Sequence, residues 1–320
     1  MNIDTLIKKM SKDLDEKILQ PLSGLEPYEV IPFDIASLDD ITGIGGVPRG
    51  GITELYGAES SGKSALALSL IASAQRRGLT CVYIDVEMAM TQGLAVKMGV
   101  DTSKIILARP LTGESAFDLV DKFSNEGVDL IVLDSVSSLL AESEKEADYD
   151  QQTVGLQARL VSKALRKLVP VISRTKTALV LINQLRDKVG AMPFAEQTTT
   201  SGGHALKHYA LFRFQVSRIK QIKEGTVETG FVVKVFTRKN KTSTPHIQTE
   251  INFFFETGFD KDTDLLNFLI KNNVITSLTG RTFYHGEVEI GNKEKSLEYI
   301  KKNYDYKTRQ LRSEPSSDTK

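Results

Sequence analysis

The chain has 320 residues, of which 40% are hydrophobic and 26% charged, a composition that can bury a sizeable core. Lys plus Arg and Asp plus Glu number 41 each, so the net charge gives no argument for a polyanionic partner, and any nucleic-acid contact requires locally basic surfaces. No run of about 20 apolar residues could span a bilayer, and a single cysteine excludes a disulfide within the chain. We therefore expect a cytoplasmic protein without a membrane partner.

The predicted elements begin with an amphipathic helix at 3–18, which has no following sequence to bury its apolar stripe. Residues 20–50 are rich in Pro and Gly and predict a linker. From Gly51 onward, apolar strands alternate with amphipathic helices, a pattern typical of a parallel sheet built from βαβ units. The predicted strands are 52–56, 81–85, 105–108, 130–134 and 178–182. The predicted helices between them are 63–77, 114–124 and 153–173.

Beyond residue 209 the apolar period changes to two, which predicts antiparallel strands that extend the sheet. The second of these, at 231–236, follows a turn that contains Gly225. Residues 259–306 predict a small separate unit, with helices at 263–272 and 293–303 around a β-like segment at 281–289. The polar residues 307–320 predict a disordered tail.

One segment carries a strong chemical signal: Gly57 to Ser64 reads GAESSGKS and matches G-x-x-x-x-G-K-[ST] between a predicted strand and a predicted helix. In this motif the backbone N–H groups and the helix N-terminus cradle phosphates. Lys63 is expected to reach the β- and γ-phosphates, and the Ser64 hydroxyl to ligate Mg²⁺. The sequence therefore predicts binding and hydrolysis of ATP. The residues assigned to the nucleotide are Gly57, Glu59, Ser60, Ser61, Gly62, Lys63, Ser64 and Ala65.

Three polar residues end or follow other predicted strands at the same edge of the sheet. Asp134 is expected to anchor Mg²⁺ from behind its direct ligands, the alternative being an ordinary strand terminator. Glu87 could accept a proton from the water that attacks the γ-phosphate, the alternative being a surface acid. Gln184 could sense the γ-phosphate, the alternative being a polar strand cap.

Basic and loop-like segments are candidates for contacts to DNA. Residues 185–203 combine Gly, Thr and Ser with Lys188 and Met192, which suits a loop that grips single-stranded DNA, although a plain surface loop has the same composition. Basic residues also recur along the predicted helix and strands, where solvated faces are the alternative. These residues are Arg159, Lys163, Arg166, Lys167, Arg213, Arg218, Lys220, Arg238, Lys239 and Lys241.

The motifs GAESSGKS, YIDVE, VDLIVLDSVSSL, GLQARLVSKALRKL, VLINQLRDKVG, TTTSGGHALKHYA and VFTRKNK follow one another in this order. With them the chain resembles the bacterial RecA recombinase family from about Pro32 to Phe255. The resemblance implies an α/β fold: a RecA-type P-loop NTPase core with a mostly parallel sheet extended by antiparallel strands, a short N-terminal helix and a small C-terminal α/β domain. It divides the chain into an oligomerisation helix and linker, an ATPase core with two DNA-binding loops, a C-terminal domain and a tail. These units are 1–31, 32–258, 259–306 and 307–320.

The resemblance also implies residue roles. Lys63, Ser64 and Asp134 would hold ATP and Mg²⁺, Glu87 would activate water, and Gln184 would couple nucleotide state to DNA. Lys239 and Lys241 would reach the ATP of a neighbouring subunit, so hydrolysis would require assembly. The residues assigned to DNA, at or near loops of about 142–155 and 188–201, are Arg159, Arg166, Lys188, Val189, Gly190, Met192, Thr199, Thr200, Ser201, Gly202, Gly203, Arg213 and Arg218.

The implied function is an ATP-dependent recombinase that forms helical filaments on single-stranded DNA, pairs it with homologous duplex and exchanges strands. Its expected location is the cytoplasm, with the nucleoid, or a host cytoplasm if a phage encodes it. Further expected partners are single-strand-binding or mediator proteins. Two alternatives stay open: an accessory or regulatory ATPase or ring helicase with the same core and no strand exchange, and a DNA-binding filament that has lost hydrolysis.

Overall fold

The computed structural model describes residues 2–11, 19, 21–142, 155–187, 198–277, 280–305 and 310–311. Most of both predicted DNA loops and most of the predicted tail therefore lie outside the described residues. The same holds for four residues assigned to DNA: Lys188, Val189, Gly190 and Met192.

A ten-stranded sheet forms the centre of the molecule. The first two strands of the chain, β1 (Val30–Ile31) and β2 (Val47–Pro48), form a separate antiparallel pair. The sheet itself contains β3 (Ile52–Gly57), β4 (Cys81–Asp85), β5 (Ile105–Ala108), β6 (Leu130–Asp134), β7 (Ala178–Asp187), β8 (Thr198–Thr200), β9 (Phe212–Glu224), β10 (Val227–Asn240), β11 (Gln248–Phe254) and β12 (Gly258–Phe259).

The strands run in the order β12-β11-β10-β9-β3-β7-β6-β4-β5, with β8 paired to the end of β7. Pairing is parallel from β9 through β3, β7, β6 and β4 to β5, and antiparallel from β9 to β12 and between β7 and β8. The predicted fold class, a mostly parallel sheet extended by antiparallel strands, is confirmed.

Helices cover both faces of the sheet, because the central strands are apolar on both sides. On one face α3 (Lys63–Arg76) packs through Leu66 and Leu70 in one apolar cluster with Tyr83 and Phe214. On the other face α5 (Gly113–Asn125) and α6 (Leu156–Thr175) share an apolar cluster with Ile131 and Leu181. The helices of the described residues are α1 (Ile3–Met10), α2 (Ala36–Ile41), α3 (Lys63–Arg76), α4 (Gln92–Lys97), α5 (Gly113–Asn125), α6 (Leu156–Thr175), α7 (Gly203–Tyr209), α8 (Lys261–Lys271) and α9 (Lys293–Asn303).

The prediction that 20–50 is a linker is wrong for residues 30–48, which belong to the core. Phe33 and Leu38, the latter on α2, are fully buried and belong to the main apolar cluster. The Asp39 carboxylate accepts the Phe33 N–H at 2.8 Å, so a buried side chain satisfies a backbone group in this irregular segment. At the N-terminus, α1 has no buried residue in the single chain.

Residues 261–304 build a small unit around their own apolar cluster, which includes Leu266, Phe283 and Ile300. Helices α8 and α9 flank three short strands, β13 (Thr276–Ser277), β14 (Phe283–His285) and β15 (Val288–Gly291). The unit is tied to the core where the Ser37 N–H donates to the Asp264 carboxylate at 3.0 Å. None of the helices described here is both long and apolar enough to cross a membrane.

Candidate ATP site and nucleic-acid interface

The loop from Gly57 to Ser64 lies between buried β3 and the first turn of α3, as the motif requires. A Cβ on Gly57 would lie 2.0 Å from the Val216 carbonyl oxygen, so only glycine allows this close approach. Gly62 has φ 101°, in the left-handed region that favours glycine. The loop opens into a cleft of about 190 Å³. The cleft is lined by Ser60, Ser61, Gly62, Lys63, Ser64, Ala65 and Phe231.

The side chains of this loop suit an anionic ligand. The Lys63 side chain folds back on the loop. Its Nζ donates to the carbonyl oxygens of Ala58 at 2.6 Å and Gly57 at 3.3 Å. Burial lowers the pKa of Lys63, against the opposing charges of Asp134 and Glu87. The Ser61 hydroxyl is buried and has no hydrogen-bond partner among the described residues. A bound phosphate oxygen would satisfy this buried polar group.

The side chains of Ser64 and Asp134 meet at the carboxyl edge of the sheet. The Ser64 hydroxyl donates to Oδ2 of Asp134 at 2.7 Å, and the buried Tyr83 hydroxyl donates to the same oxygen at 2.5 Å. Burial raises the pKa of Asp134, although both hydrogen bonds act in the opposite direction. A hydroxyl and a carboxylate are oxygen ligands of the kind that Mg²⁺ prefers, so the donor set fits this ion.

Strand register brings the other predicted site residues to the same edge. Gly57 lies opposite Gln184 in the β3–β7 pair, and Asp85 lies opposite Asp134 in the β4–β6 pair. Glu87 follows β4 and accepts at Oε1 a hydrogen bond from Gln184 Nε2 at 3.0 Å. From the sequence, Glu87 and Gln184 are each related only to the γ-phosphate. In the structure their side chains are in direct contact.

Behind Gln184 lies a buried polar network that the sequence patterns did not reveal. Glu54 on β3 is fully buried and forms an ion pair with Arg213 on β9. The Asn183 side-chain amide donates to Glu54 at 2.9 Å and to the Ser201 carbonyl oxygen at 2.9 Å. Its own oxygen accepts the Gln184 N–H at 2.9 Å. Burial of Glu54 depends on the distant partners Asn183 and Arg213, which the local sequence of β3 does not indicate.

The described residues assigned to DNA differ in exposure. Arg159 and Arg166 are exposed on α6, whereas Arg213 is largely buried, pairs with Glu54 and has its guanidinium 4.7 Å from the centroid of the Tyr56 ring. Arg218 pairs with Glu228 and lies over the Phe231 ring. The remaining members are the β8 residues Thr199 and Thr200, then Ser201, Gly202 and Gly203 at the start of α7.

The two lysines assigned to a neighbouring subunit lie at the end of β10 and just beyond it. Lys239 Nζ donates to the carbonyl oxygens of Lys207 at 2.6 Å and His208 at 2.9 Å, near the C-terminus of α7. Burial and the nearby charges of Lys241 and Arg213 lower the pKa of Lys239 to about 8. Lys241 is exposed.

Comparison with known proteins identifies the family of the chain. The family model described as the RecA N-terminal domain matches residues 2–260. The Protein RecA of Thermus aquaticus is 40% identical over 305 residues, covering 94% of this chain and 89% of the relative. That of Campylobacter fetus is 40% identical over 306 residues, covering 94% and 88%. That of Sulfurimonas denitrificans is 39% identical over 293 residues, covering 91% and 85%. The chain therefore belongs to the RecA family.

Proposed function

We propose that the protein is a DNA-dependent ATPase that forms helical filaments on single-stranded DNA and couples ATP turnover to homologous pairing and strand exchange. The observation that carries the proposal is the convergence of Lys63, Ser64, Asp134, Glu87 and Gln184 at one sheet edge, in a chain of the RecA family. Phosphoryl transfer depends on positioned charge of this kind.

Each residue has a distinct task in hydrolysis. Lys63 and the P-loop N–H groups bind the β- and γ-phosphates of ATP, and Ser61 donates its buried hydroxyl to a phosphate oxygen. Ser64 and Asp134 hold Mg²⁺, which when bound neutralises charge that develops on the phosphates. Glu87 takes a proton from the attacking water while the bond between the γ-phosphorus and the bridging oxygen breaks, and ADP and phosphate result.

The polar network offers a route from the nucleotide to the DNA side. Gln184 contacts Glu87, and the adjacent Asn183 contacts Ser201, which follows β8. A change at the γ-phosphate that moves Gln184 therefore acts on the segment assigned to the second DNA loop. In this proposal residues 188–201, the adjoining Gly202 and Gly203, and the basic side chains of Arg159, Arg166, Arg213 and Arg218 contact DNA.

Self-assembly completes the active site. Glu87 is exposed in the single chain, so its side of the cleft is open to a neighbouring subunit. Lys239 and Lys241 of that neighbour supply positive charge to the phosphates. Residues 1–31 join adjacent subunits through the exposed apolar side chains Ile3, Leu6 and Met10.

The chain continues with a core at 32–258 and a C-terminal domain at 259–306. The filament works in the cytoplasm, where its partners are DNA and single-strand-binding or mediator proteins.

Steady-state ATP hydrolysis tests this function. With Mg²⁺ and long single-stranded DNA, we expect hydrolysis that rises cooperatively with protein concentration and is lost in Lys63→Ala. A matched control is Lys104→Ala, which changes an exposed lysine that pairs with Asp101 before β5. Hydrolysis that ignores DNA would favour the accessory ATPase, and a closed ring rather than a helical filament in electron microscopy would favour a helicase.

A further inference from the structure

Three hydrogen-bond donors converge on one oxygen of Glu87. Oε1 accepts from the Ser135 hydroxyl at 2.5 Å, from Gln184 Nε2 at 3.0 Å and from the Ser138 hydroxyl at 3.2 Å. The described residues place no donor on the second oxygen, Oε2. The two carboxylate oxygens therefore have different environments, one saturated by the protein and the other available to a ligand.

A third hydroxyl supports this arrangement from behind. Ser137 Oγ lies 2.6 Å from Ser135 Oγ, and both residues are buried. A serine hydroxyl has a single proton. Since Ser135 directs its proton to Glu87, Ser137 is the donor in the Ser135–Ser137 contact. Hydrogen bonds in such a chain polarise one another, so Ser137 strengthens the bond that Ser135 makes to the carboxylate.

The backbone that carries these serines is held in place. Residues 136–138 form a single 3₁₀ turn directly after β6. The side-chain amide of Gln157, at the start of α6, donates to the carbonyl oxygens of Val136 at 2.9 Å, Leu139 at 3.1 Å and Ser137 at 3.2 Å. A long helix thus fixes the turn, and the serine hydroxyls are organised before any ligand arrives.

We infer that Ser138, together with the Ser135–Ser137 pair, is a positioning residue that fixes the rotation of the Glu87 carboxylate and aims Oε2 at the attacking water. The terminal torsion of a glutamate is broad, so an exposed carboxylate needs such contacts to keep one orientation. Correct orientation of a general base can be worth orders of magnitude in rate. The inference rests on the proposed function, because it assigns Glu87 to water activation.

Substitution of Ser138 tests the inference, since this side chain is exposed and its loss leaves the core intact. For Ser138→Ala we expect kcat with saturating single-stranded DNA to fall about three- to tenfold and KM for ATP to stay unchanged, because one hydrogen bond to a charged group is lost and water partly replaces it. Ser138→Thr, which keeps the hydroxyl, should restore most of kcat. The double variant Ser137→Ala/Ser138→Ala should fall further than Ser138→Ala alone.

The matched control is Ser103→Ala. Its hydroxyl also donates to a carboxylate, Asp101 at 2.6 Å, but it precedes β5 at the opposite edge of the sheet. We expect wild-type kinetics for this variant. A kcat for Ser138→Ala equal to that of the control, or a rise in KM with unchanged kcat, would overturn the inference. An inactive wild-type protein would instead overturn the proposed function, so the two failures are distinguishable.

Discussion

Replacing Tyr83 by Phe deletes one of the two hydrogen bonds that hold Asp134 and keeps the buried ring in place. Tyr83 is 1% exposed, and its hydroxyl donates to Oδ2 at 2.5 Å. Burial keeps the pKa of Tyr83 well above its usual value of 10, so the phenol remains a donor throughout the accessible pH range. The substitution therefore removes stabilisation from the ionised form of Asp134 at every pH of interest.

The size of the effect follows from the charge on the acceptor. A hydrogen bond to a charged group contributes about 1.5–3 kcal/mol, so its loss raises the pKa of Asp134 further. Burial already raises this pKa, so the folded protein holds more protons than the unfolded chain between the ordinary value and the raised one. The free energy of unfolding therefore falls as pH rises from the ordinary pKa of an aspartate to the raised pKa of Asp134. Tyr83→Phe moves the upper end of this pH range to a higher value.

The assay is the Mg²⁺ concentration that half-saturates ATP hydrolysis, measured from pH 5 to pH 8. Because Asp134 must be ionised to hold Mg²⁺, we expect the acidic limb of the profile to move to higher pH in Tyr83→Phe, since the lost bond of about 1.5–3 kcal/mol had stabilised the ionised carboxylate. The control is Tyr299→Phe, which removes a hydroxyl that lies 2.9 Å from His285 in the C-terminal unit. A folded Tyr83→Phe protein with the wild-type acidic limb would refute the reasoning.

Three further outcomes are expected. Arg213→Met should lower the free energy of unfolding by about 3–5 kcal/mol in urea titrations, because it leaves Glu54 buried without its cation. Gly57→Ala should abolish binding of a fluorescent ATP analogue, because its Cβ would meet the Val216 carbonyl oxygen at 2.0 Å, whereas Gly93→Ala has open space and should bind normally. Burial lowers the pKa of Lys261 to about 8, so its contribution to the free energy of unfolding should rise from pH 8 to pH 10.5, and Lys261→Met should lack that rise.

The parts of the fold that the sequence predicted well are those in which the pattern is local. Strands β4, β5 and β6 have the predicted bounds, because each is a short apolar run. β4 and β6 are fully buried, whereas β5 lies at the edge of the sheet and is partly exposed. Strand β7 continues five residues beyond the predicted end, to Asp187, because β8 pairs with residues 185–187. Helix α2 was not predicted, because its burial depends on contacts such as that between Ser37 and Asp264.

In the candidate site, too, the residues in local motifs could be predicted from the sequence, whereas contacts between distant segments could not. The P-loop and its flanking elements could be predicted from eight consecutive residues, and Asp134 and Gln184 from their positions at strand ends. The contacts that Ser135 and Ser138 make to Glu87 join segments that are 48 and 51 residues apart. The buried charge of Glu54 depends on Asn183 and Arg213, which are more distant still. No periodicity in the sequence encodes such pairings.

The way in which β7 and β8 are joined bears on how this protein can change over evolution. Residues 185–187 pair with 198–200, and Asn183 binds the Ser201 carbonyl oxygen, so the stretch between the two strands starts and ends at fixed, adjacent points. The entropic cost of closing a longer connection grows slowly, by about 0.6 kcal/mol for each doubling of length. Insertions and deletions between Asp187 and Thr198 can therefore accumulate without moving the nucleotide-binding edge, and chimeras that exchange this stretch between homologues should keep a folded ATPase core.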